Sequence, residues 1–184
     1  RVLHPLTIEP ARRKNIPVVV LNSKSPDGEG SVVTYKEVEP GPKSIAVKKD
    51  IDYLEIRSEK IIGVSAMLAG IFGVVSENKV KVTLSSVSES AAGLTLDSFQ
   101  PGFESMLTSL RERFNVMVYR DKAEISEVGR DITLCPGIME AMLKAAGDGI
   151  YMTAQSPLRL SASMVIDRSE AESVARRLHK EIFV

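Results

Sequence analysis

The segment VTLSSVSESAAGLTLD, residues 82–97, carries a cluster of serines together with two threonines and a glutamate. Such a cluster could hold a serine nucleophile, line a ligand pocket or form an exposed hairpin. A serine nucleophile needs a positioned base, and the only histidines, His4 and His179, lie at opposite ends of the sequence. A simple hairpin favours Asn-Gly or Asp-Gly at its turn, and this segment contains neither. The residues disfavour a nucleophile and leave a ligand pocket and a hairpin open.

A helix that begins upstream of this cluster supports the pocket interpretation. The segment EKIIGVSA, residues 59–66, leads into an apolar pattern with helical spacing, and Ser65 is the predicted N-cap. Backbone N–H groups at a helix N-terminus attract a carboxylate, while serine and glutamate side chains can bind an ammonium group. A pocket for a small zwitterion, such as an amino acid, is therefore physically reasonable.

No other group of residues makes a complete active site or metal site. Cys135 precedes Pro-Gly at a predicted helix start, where the helix dipole can lower a thiol pKa. It has no base near it in the sequence, so we expect a small, half-buried residue. The glycines of residues 26–31 lack the Gly-Lys-Ser/Thr ending of a phosphate-binding loop. We therefore predict no catalytic residue and no metal ligand in this chain.

The composition is that of an ordinary globular protein. Lys plus Arg and Asp plus Glu each number 24, hydrophobic residues make up 43%, and Trp is absent. Balanced charge with few aromatic residues argues against a nucleic-acid binder, and no apolar run reaches the ~18 residues of a membrane span. A single cysteine fits a reducing compartment, so we predict a cytoplasmic location. Because the first residue is Arg1 rather than Met, we expect a fragment or a processed piece.

Hydrophobic and turn patterns predict a small N-terminal segment followed by a linker. A short helix near residues 6–16 precedes two short strands, at 17–23 and 31–35. Residues 36–44 contain two prolines and a glycine, which is typical of a linker. We therefore place a domain boundary near Glu39–Ser44.

Beyond the linker, the pattern of strands and helices repeats. Residues 51–120 predict the order strand, helix, strand, strand, helix, strand, which is the split βαβ arrangement. Residues 121–184 predict the same order without its final strand, and Asp167 is the predicted cap of the last helix. A missing strand would leave an unpaired sheet edge. The alternating segment at residues 44–50 can fill that edge, so we predict interleaved modules, the second completed by a strand that precedes the first.

Three stretches of the sequence resemble the aspartokinase family over nearly the whole chain. Residues 2–33, with an Ile-Pro-Val strand and an Asn-Ser turn before a Pro/Gly loop, resemble the C-terminal end of the kinase catalytic domain. Residues 43–97 resemble the first ACT module of the family, and residues 136–183, with a Leu-His pair before an acidic residue and Phe, resemble the second. The resemblance implies an α+β fold with two ferredoxin-like βαββαβ ACT modules, interleaved and preceded by a remnant of the amino-acid-kinase α/β domain.

The resemblance implies a division of the chain and a function. The end of the catalytic domain with its linker falls at residues 1–39, and the strand that completes the second ACT module falls at residues 44–50. The first ACT module is at residues 51–120 and the second at residues 121–184. Aspartokinases use ATP and Mg²⁺ to phosphorylate the β-carboxylate of aspartate, the first step toward lysine, threonine and methionine. Their ACT modules bind end-product amino acids for feedback inhibition. The chain lacks the lysine and glycine motif of the kinase N-terminus, so we expect the fragment alone to hold no cofactor and to be inactive.

The resemblance also implies an effector pocket and partners. Carried over by position, the pocket residues are Ile61, Ala66, Met67, Leu68, Lys81, Val82, Thr83, Ser88 and Glu89. Such pockets lie between ACT modules of two chains, so the resemblance implies a homodimer. It also implies a contact with the kinase catalytic domain and lysine or threonine as the effector. Two positions depart from the family pattern, since Thr83 stands where lysine-sensitive members carry aspartate and Ala66 replaces a glycine. The alternative is a structural dimerisation module with a vestigial effector pocket.

Overall fold

The computed structural model describes residues 5–34, 39–58 and 63–184. The chain divides into two compact units, residues 1–39 and residues 40–184. Each unit is described by itself.

The first unit is a short helix followed by a two-stranded ribbon. Helix α1 spans Pro5–Arg13, strand β1 spans Val18–Val20 and strand β2 spans Ser31–Val33. The two strands pair antiparallel, with Val19 opposite Val32. The helix and both strands expected in this region are therefore present, and the turn-rich sequence between the strands forms their connection.

The second unit is built on one six-stranded antiparallel sheet. Its elements along the chain are β3 Gly41–Arg57, α2 Val64–Glu77, β4 Val82–Val87, β5 Ala91–Asp97, α3 Phe103–Arg111, β6 Asn115–Arg130, α4 Ile138–Ala146, β7 Met152–Gln155, β8 Ser161–Asp167 and α5 Ala171–Phe183. The spatial order of the strands is β4-β5-β3-β6-β8-β7. The strands β4 and β7 therefore form the two edges of the sheet.

The two central strands, β3 and β6, are long enough to serve both modules. Residues 53–57 of β3 pair with residues 115–119 of β6, while residues 44–48 pair with residues 124–128. On their other side, residues 122–128 of β6 pair with β8. The N-terminal half of β3 thus completes the sheet of the second module. The expected pair of interleaved βαββαβ modules is confirmed.

Each module buries its helices against one face of the sheet. Helices α2 and α3 cover Leu54, Ile56 and Leu94 in the first module, and α4 and α5 cover Ile125 and Met164 in the second. Because side chains alternate along a strand, the residues between these face the other way. A third cluster on that opposite face joins the modules and comprises Ile51, Tyr53, Met152 and Val165, with Leu84, Tyr119 and Tyr151 packed against them.

The starts of two helices differ from the sequence expectation. Helix α2 begins at Val64, with Gly63 as its N-cap at a φ of 77°, which a glycine adopts without steric cost. Ser65 lies inside the first turn, so the prediction that it caps the helix is wrong. Asp167 precedes the 3₁₀ turn Arg168–Glu170 rather than α5 itself, and no side-chain cap bond forms there.

Candidate functional site

The serine-rich cluster forms the hairpin between β4 and β5. Ser88 and Glu89 lie at its tip and are exposed. The Ser88 backbone N–H donates to the carbonyl of Ala91 over 2.8 Å and closes the turn. The carbonyl of Ser90 accepts from the backbone N–H of Ser58 over 3.0 Å. The hairpin tip therefore lies beside the end of β3, where the chain leaves toward α2.

Lys81, Val82 and Thr83 lie at the other end of β4. The Lys81 backbone N–H donates to Oε1 of Gln100 over 2.7 Å. Val82 is half-buried and packs against the hydrophobic core under α2 and α3, called the first core here; the second core is the one under α4 and α5. Thr83 falls at a register shift of the β4–β5 pair, where its hydroxyl lies 2.7 Å from the hydroxyl of Thr95. At about 3.3 Å per residue, this group and the hairpin tip are roughly 20 Å apart along the strand.

The first turn of α2 holds three further predicted residues. Ala66 is exposed and Leu68 is half-buried. Met67 is only 1% exposed and belongs to the first core, so its side chain stabilises the module and does not face solvent. Ile61 lies outside the described residues. Of the predicted residues in this turn, Ala66 and Leu68 are the two that present side-chain surface to a ligand.

Within one chain, the predicted pocket residues form separate groups. Strand β4 runs between the hairpin tip, with Ser88 and Glu89, and the group of Lys81, Val82 and Thr83. A single amino acid is too short to contact both ends of this strand. The structure of one protomer thus brings Ser88 and Glu89 together, but it does not unite them with the residues at the start of β4.

The structure also assembles polar residues that the sequence analysis did not single out. A cleft of about 470 Å³ lies between the two modules, and its walls include Tyr53, Glu55 and Arg57 of β3, Ser86 of β4 and Met152 of β7. Alternation along β3 predicts that its three residues share a face. Nothing in the local sequence indicates that β7 lies across that face, so this cleft could not be found from sequence patterns.

The charged wall of the cleft is a paired carboxylate and guanidinium. Glu55 and Arg57 form an ion pair, with side chains 21% and 63% exposed. Beside them, burial raises the pKa of Tyr53, and the negative charge of Glu55 raises it further. The Tyr53 hydroxyl is therefore held in its protonated form, in which it can donate a hydrogen bond.

The other residues weighed as chemical groups have ordinary structural surroundings. Cys135 is half-buried, with its Sγ 3.6 Å from the carbonyl oxygen of Asp131. The ring of His179 packs against that of Phe183, and His4 lies outside the described residues. In the part of the chain that the structure describes, no three His, Cys, Asp or Glu residues come together as metal ligands. No helix among the described residues is long and apolar enough to cross a membrane.

Comparisons with individual known proteins and with solved structures agree with each other. No protein-family model matches the chain. Chloroplastic aspartokinase 3 of Arabidopsis thaliana is 29% identical over all of this chain and 35% of its own length. The structure of E. coli aspartokinase III with lysine and aspartate in the T-state matches 100% of this chain and 43% of that one, at 26% identity and a TM-score of 0.82.

A smaller solved structure has the same fold over nearly all of its length. A putative C-terminal regulatory domain of aspartate kinase from Porphyromonas gingivalis matches over 77% of this chain and 97% of its own, with a TM-score of 0.67 and 18% identity. At that identity the likeness shows the fold alone. The chain matches the C-terminal regulatory region of aspartokinases.

The match to an aspartokinase regulatory region confirms the resemblance drawn from the sequence. It also agrees with the fold, since the interleaved antiparallel modules are those of the ACT-type regulatory fragment of these kinases. The chain spans about a third of the length of the Arabidopsis aspartokinase. Within that span, the aspartokinase likeness covers both the small first unit and the tandem ACT modules, because the alignment includes the whole chain.

Proposed function

We propose that this chain is the regulatory region of an aspartate kinase, which binds an end-product amino acid and relays its presence to a catalytic domain. The reaction of the whole protein would be phosphorylation of L-aspartate by ATP, with Mg²⁺, to give 4-phospho-L-aspartate. Phosphoryl transfer would belong to the catalytic domain, and this chain would be inactive alone. The observation that carries the proposal is the match of the whole of this chain to part of known aspartokinases, together with the tandem ACT fold.

The proposed effector pocket lies at the first turn of α2 and along β4. The backbone N–H groups that open α2 attract a carboxylate, and Ala66 leaves room beside them. Glu89 is the one carboxylate among the predicted pocket residues and would meet the effector's ammonium group. Thr83 supplies a hydroxyl that already contacts Thr95, so it adds no charge. These features fit lysine or threonine as the effector, bound mainly through its α-amino and α-carboxyl groups.

A homodimer would unite the two separated groups of pocket residues. Strand β4 is an edge of the sheet, and edge strands are normally paired or covered. If two copies of β4 pair antiparallel around a two-fold axis, the start of one strand lies beside the end of the other. Thr83 of one copy would then approach Ser88 and Glu89 of the second copy. This arrangement supports a pocket that needs both chains.

Regulation would follow from a difference in affinity between two arrangements of the dimer. An effector that binds one arrangement more tightly shifts the population toward it, by no more than its difference in binding free energy. The kinase domain attached to that arrangement would be the less active one. The single half-buried cysteine supports a reducing compartment such as the cytoplasm for this regulation.

Calorimetric titration of the chain with lysine, threonine and methionine tests the proposal. We expect heat from at least one of the three, a dimer by light scattering, and weaker binding by Glu89→Gln than by the exposed control Glu112→Gln. Thr83→Asp should strengthen lysine binding, because it restores a carboxylate for the ammonium group. The absence of heat with all three amino acids, well above millimolar concentration, would contradict effector binding.

The second candidate is a structural dimerisation module whose effector pocket is vestigial. Its support is the hydroxyl of Thr83, which is engaged with Thr95 and stands where lysine-sensitive relatives carry a charge. A dimer that ignores all three amino acids, yet is required for assembly of the whole kinase, would favour this candidate over the first.

A further inference from the structure

Strand β4 carries one extra residue where it enters the sheet. Val82 lies opposite Leu96 of β5. Two residues further along β4, Leu84 lies opposite Thr95, which is only one residue further along β5. Thr83 therefore has no residue opposite it and forms a bulge, which re-aims a side chain out of the regular pairing. Thr83 is exposed on this edge of the sheet.

The hydroxyl of Thr95 holds this bulge from inside the sheet. Thr95 is 0% exposed, and its Oγ1 accepts a hydrogen bond from the backbone N–H of Leu84 over 2.9 Å. Among the described residues, the one other partner of this oxygen is Oγ1 of Thr83, at 2.7 Å. A buried hydroxyl rarely leaves its proton without an acceptor, so the hydroxyl of Thr95 donates to that of Thr83.

The hydroxyl of Thr83 is left with one open acceptor position. A threonine hydroxyl has one proton and two lone pairs. The proton is donated to the carbonyl oxygen of Thr95 over 3.3 Å, and one lone pair accepts the proton of the Thr95 hydroxyl. The second lone pair has no donor among the described residues, and it is open to a ligand because Thr83 is exposed. Thr83 thus offers an acceptor to an N–H group and no donor to a carboxylate.

The backbone before the bulge is fixed by Gln100. The side-chain amide of Gln100 accepts the N–H of Lys81 at Oε1 over 2.7 Å and donates from Nε2 to the carbonyl of the same residue over 2.9 Å. Thr95 fixes the backbone after the bulge through the N–H of Leu84. Thr83 is therefore held from both sides, and the direction of its hydroxyl is set before a ligand arrives, which lowers the cost of binding.

We propose that Thr95 is a positioning residue for the effector pocket. It orients the hydroxyl of Thr83 so that the open lone pair accepts a hydrogen bond from the effector's ammonium group. This role rests on the effector pocket proposed above and deepens it, because it gives the ligand a direction: the ammonium group lies at the start of β4 and the carboxylate is held elsewhere in the pocket. Thr95 is fully buried, so it touches no ligand and acts through Thr83.

A double-mutant cycle measured by calorimetry tests this role. The ligand is whichever of L-lysine, L-threonine and L-methionine binds the parent chain most tightly. Thr83→Val should weaken its binding about threefold to tenfold, because one hydrogen bond to the ligand is lost. Thr95→Val should weaken binding by a similar factor in the parent chain, but by less than about twofold in the Thr83→Val background. A change that only loosened the fold would weaken binding equally in both backgrounds.

Two further variants serve as controls. Thr95→Ser keeps the hydroxyl and should bind within about twofold of the parent chain. Thr108→Val removes an exposed threonine hydroxyl on α3 and should bind normally.

Several results would overturn the role of Thr95 while the parent chain still binds its ligand, and these leave the proposed function standing. They are normal binding by Thr95→Val, equal losses from Thr95→Val in both backgrounds, and a loss with Thr95→Ser as large as with Thr95→Val. Normal binding by Thr83→Val would also overturn it, and this variant remains measurable if Thr95→Val fails to fold. The absence of heat from the parent chain with all three amino acids would contradict the proposed function and this role together.

Discussion

Asp50 and Asp121 occupy matching left-handed positions in the two central strands, with φ angles of 59° and 58°. Both fall at the register shifts where β3 and β6 pass from one module to the other. The guanidinium of Arg168 joins them, because its Nη1 lies 2.6 Å from Oδ1 of Asp50 and 3.3 Å from Oδ1 of Asp121. The boundary between the interleaved modules is thus a pair of bulges held by one arginine.

Substitutions at these two aspartates should report backbone strain more than charge. The ion pairs with Arg168 are exposed, so their loss should change the free energy of unfolding little. A left-handed φ disfavours alanine but not glycine. We expect Asp50→Ala and Asp121→Ala to be less stable than the matching glycine variants by roughly 0.5–1 kcal/mol, measured by urea unfolding. Asp148, which is exposed and lacks a left-handed φ, provides the control pair, and equal stability of Ala and Gly variants at position 121 would refute the strain argument.

Glu127 should make the stability of the second unit depend on pH. It is 0% exposed, and neither carboxyl oxygen has a hydrogen-bond partner among the described residues. It lies opposite Ile45 and Ala162, which belong to the second core. Burial raises the pKa of Glu127 to about 7. Between the ordinary glutamate pKa and this value, the folded chain binds more protons than the unfolded chain, so stability falls as pH rises through that range.

Glu127→Gln removes the ionisable group and should flatten this pH dependence. The variant should gain up to about 3 kcal/mol over the parent chain at pH 8 and nothing at pH 4. Denaturant unfolding across this pH range is the measurement. Glu112→Gln changes an exposed glutamate and should follow the parent chain at every pH. An equal gain at pH 4 and pH 8 would show that the pKa of Glu127 is the same in the folded and unfolded chains, and would contradict the raised value.

The ion pair of Asp167 and Lys122 should give a pH dependence of stability opposite in sign to that of Glu127. Lys122 is buried, and its Nζ lies 2.5 Å from Oδ1 of Asp167 and 3.1 Å from the hydroxyl of Tyr151. The hydrogen bond from Lys122 lowers the pKa of Asp167. A lowered carboxyl pKa stabilises the fold above the unfolded-state value, and this stabilisation is lost as pH falls through the folded-state value.

Asp167→Asn should therefore cost about 1–2 kcal/mol near pH 7, because it leaves Lys122 without its anionic partner. The figure is modest because the side chain of Asp167 is 46% exposed. The cost should shrink in strong acid, where the parent chain also loses the charge. Urea unfolding at neutral and acid pH measures both values, with Asp148→Asn as the exposed control; a cost that persists unchanged in acid would rule out the ion pair as its source.

Gly93 and Gly73 should respond oppositely to alanine. A Cβ on Gly93 would lie 2.9 Å from Sδ of Met152 and 3.0 Å from Tyr53, both of which are buried. Overpacking of this kind costs about 1–3 kcal/mol. Gly73 is in the exposed part of α2 with no atom within 4 Å of such a Cβ, so alanine there should stabilise by about 0.5–1 kcal/mol. Thermal unfolding compares the two, and a neutral Gly93→Ala would mean that β7 does not rest on β5.

The fold was predictable because its signals are local. Alternation in residues 51–57 and 122–128 indicates strands, and helical spacing from Met67 to Val75 indicates a helix. Even the interleaving followed from a local argument, since a module that lacks one strand must take it from elsewhere. Glu127 shows the limit of this approach. Its charge suggests an exposed strand end, but pairing with both β3 and β8 places it on the helix-covered face.

The sequence by itself determined the two modules, their order and the family they resemble, because periodicity and motifs are properties of neighbouring residues. Only the tertiary structure decided which faces of the modules meet. It placed Met152 on Gly93 and grouped Tyr53, Tyr119 and Tyr151, residues that no sequence spacing connects. Strands β7 and β5 belong to different modules, and the shared sheet brings together the faces of the two modules that are not covered by helices. The cleft forms where these two faces meet.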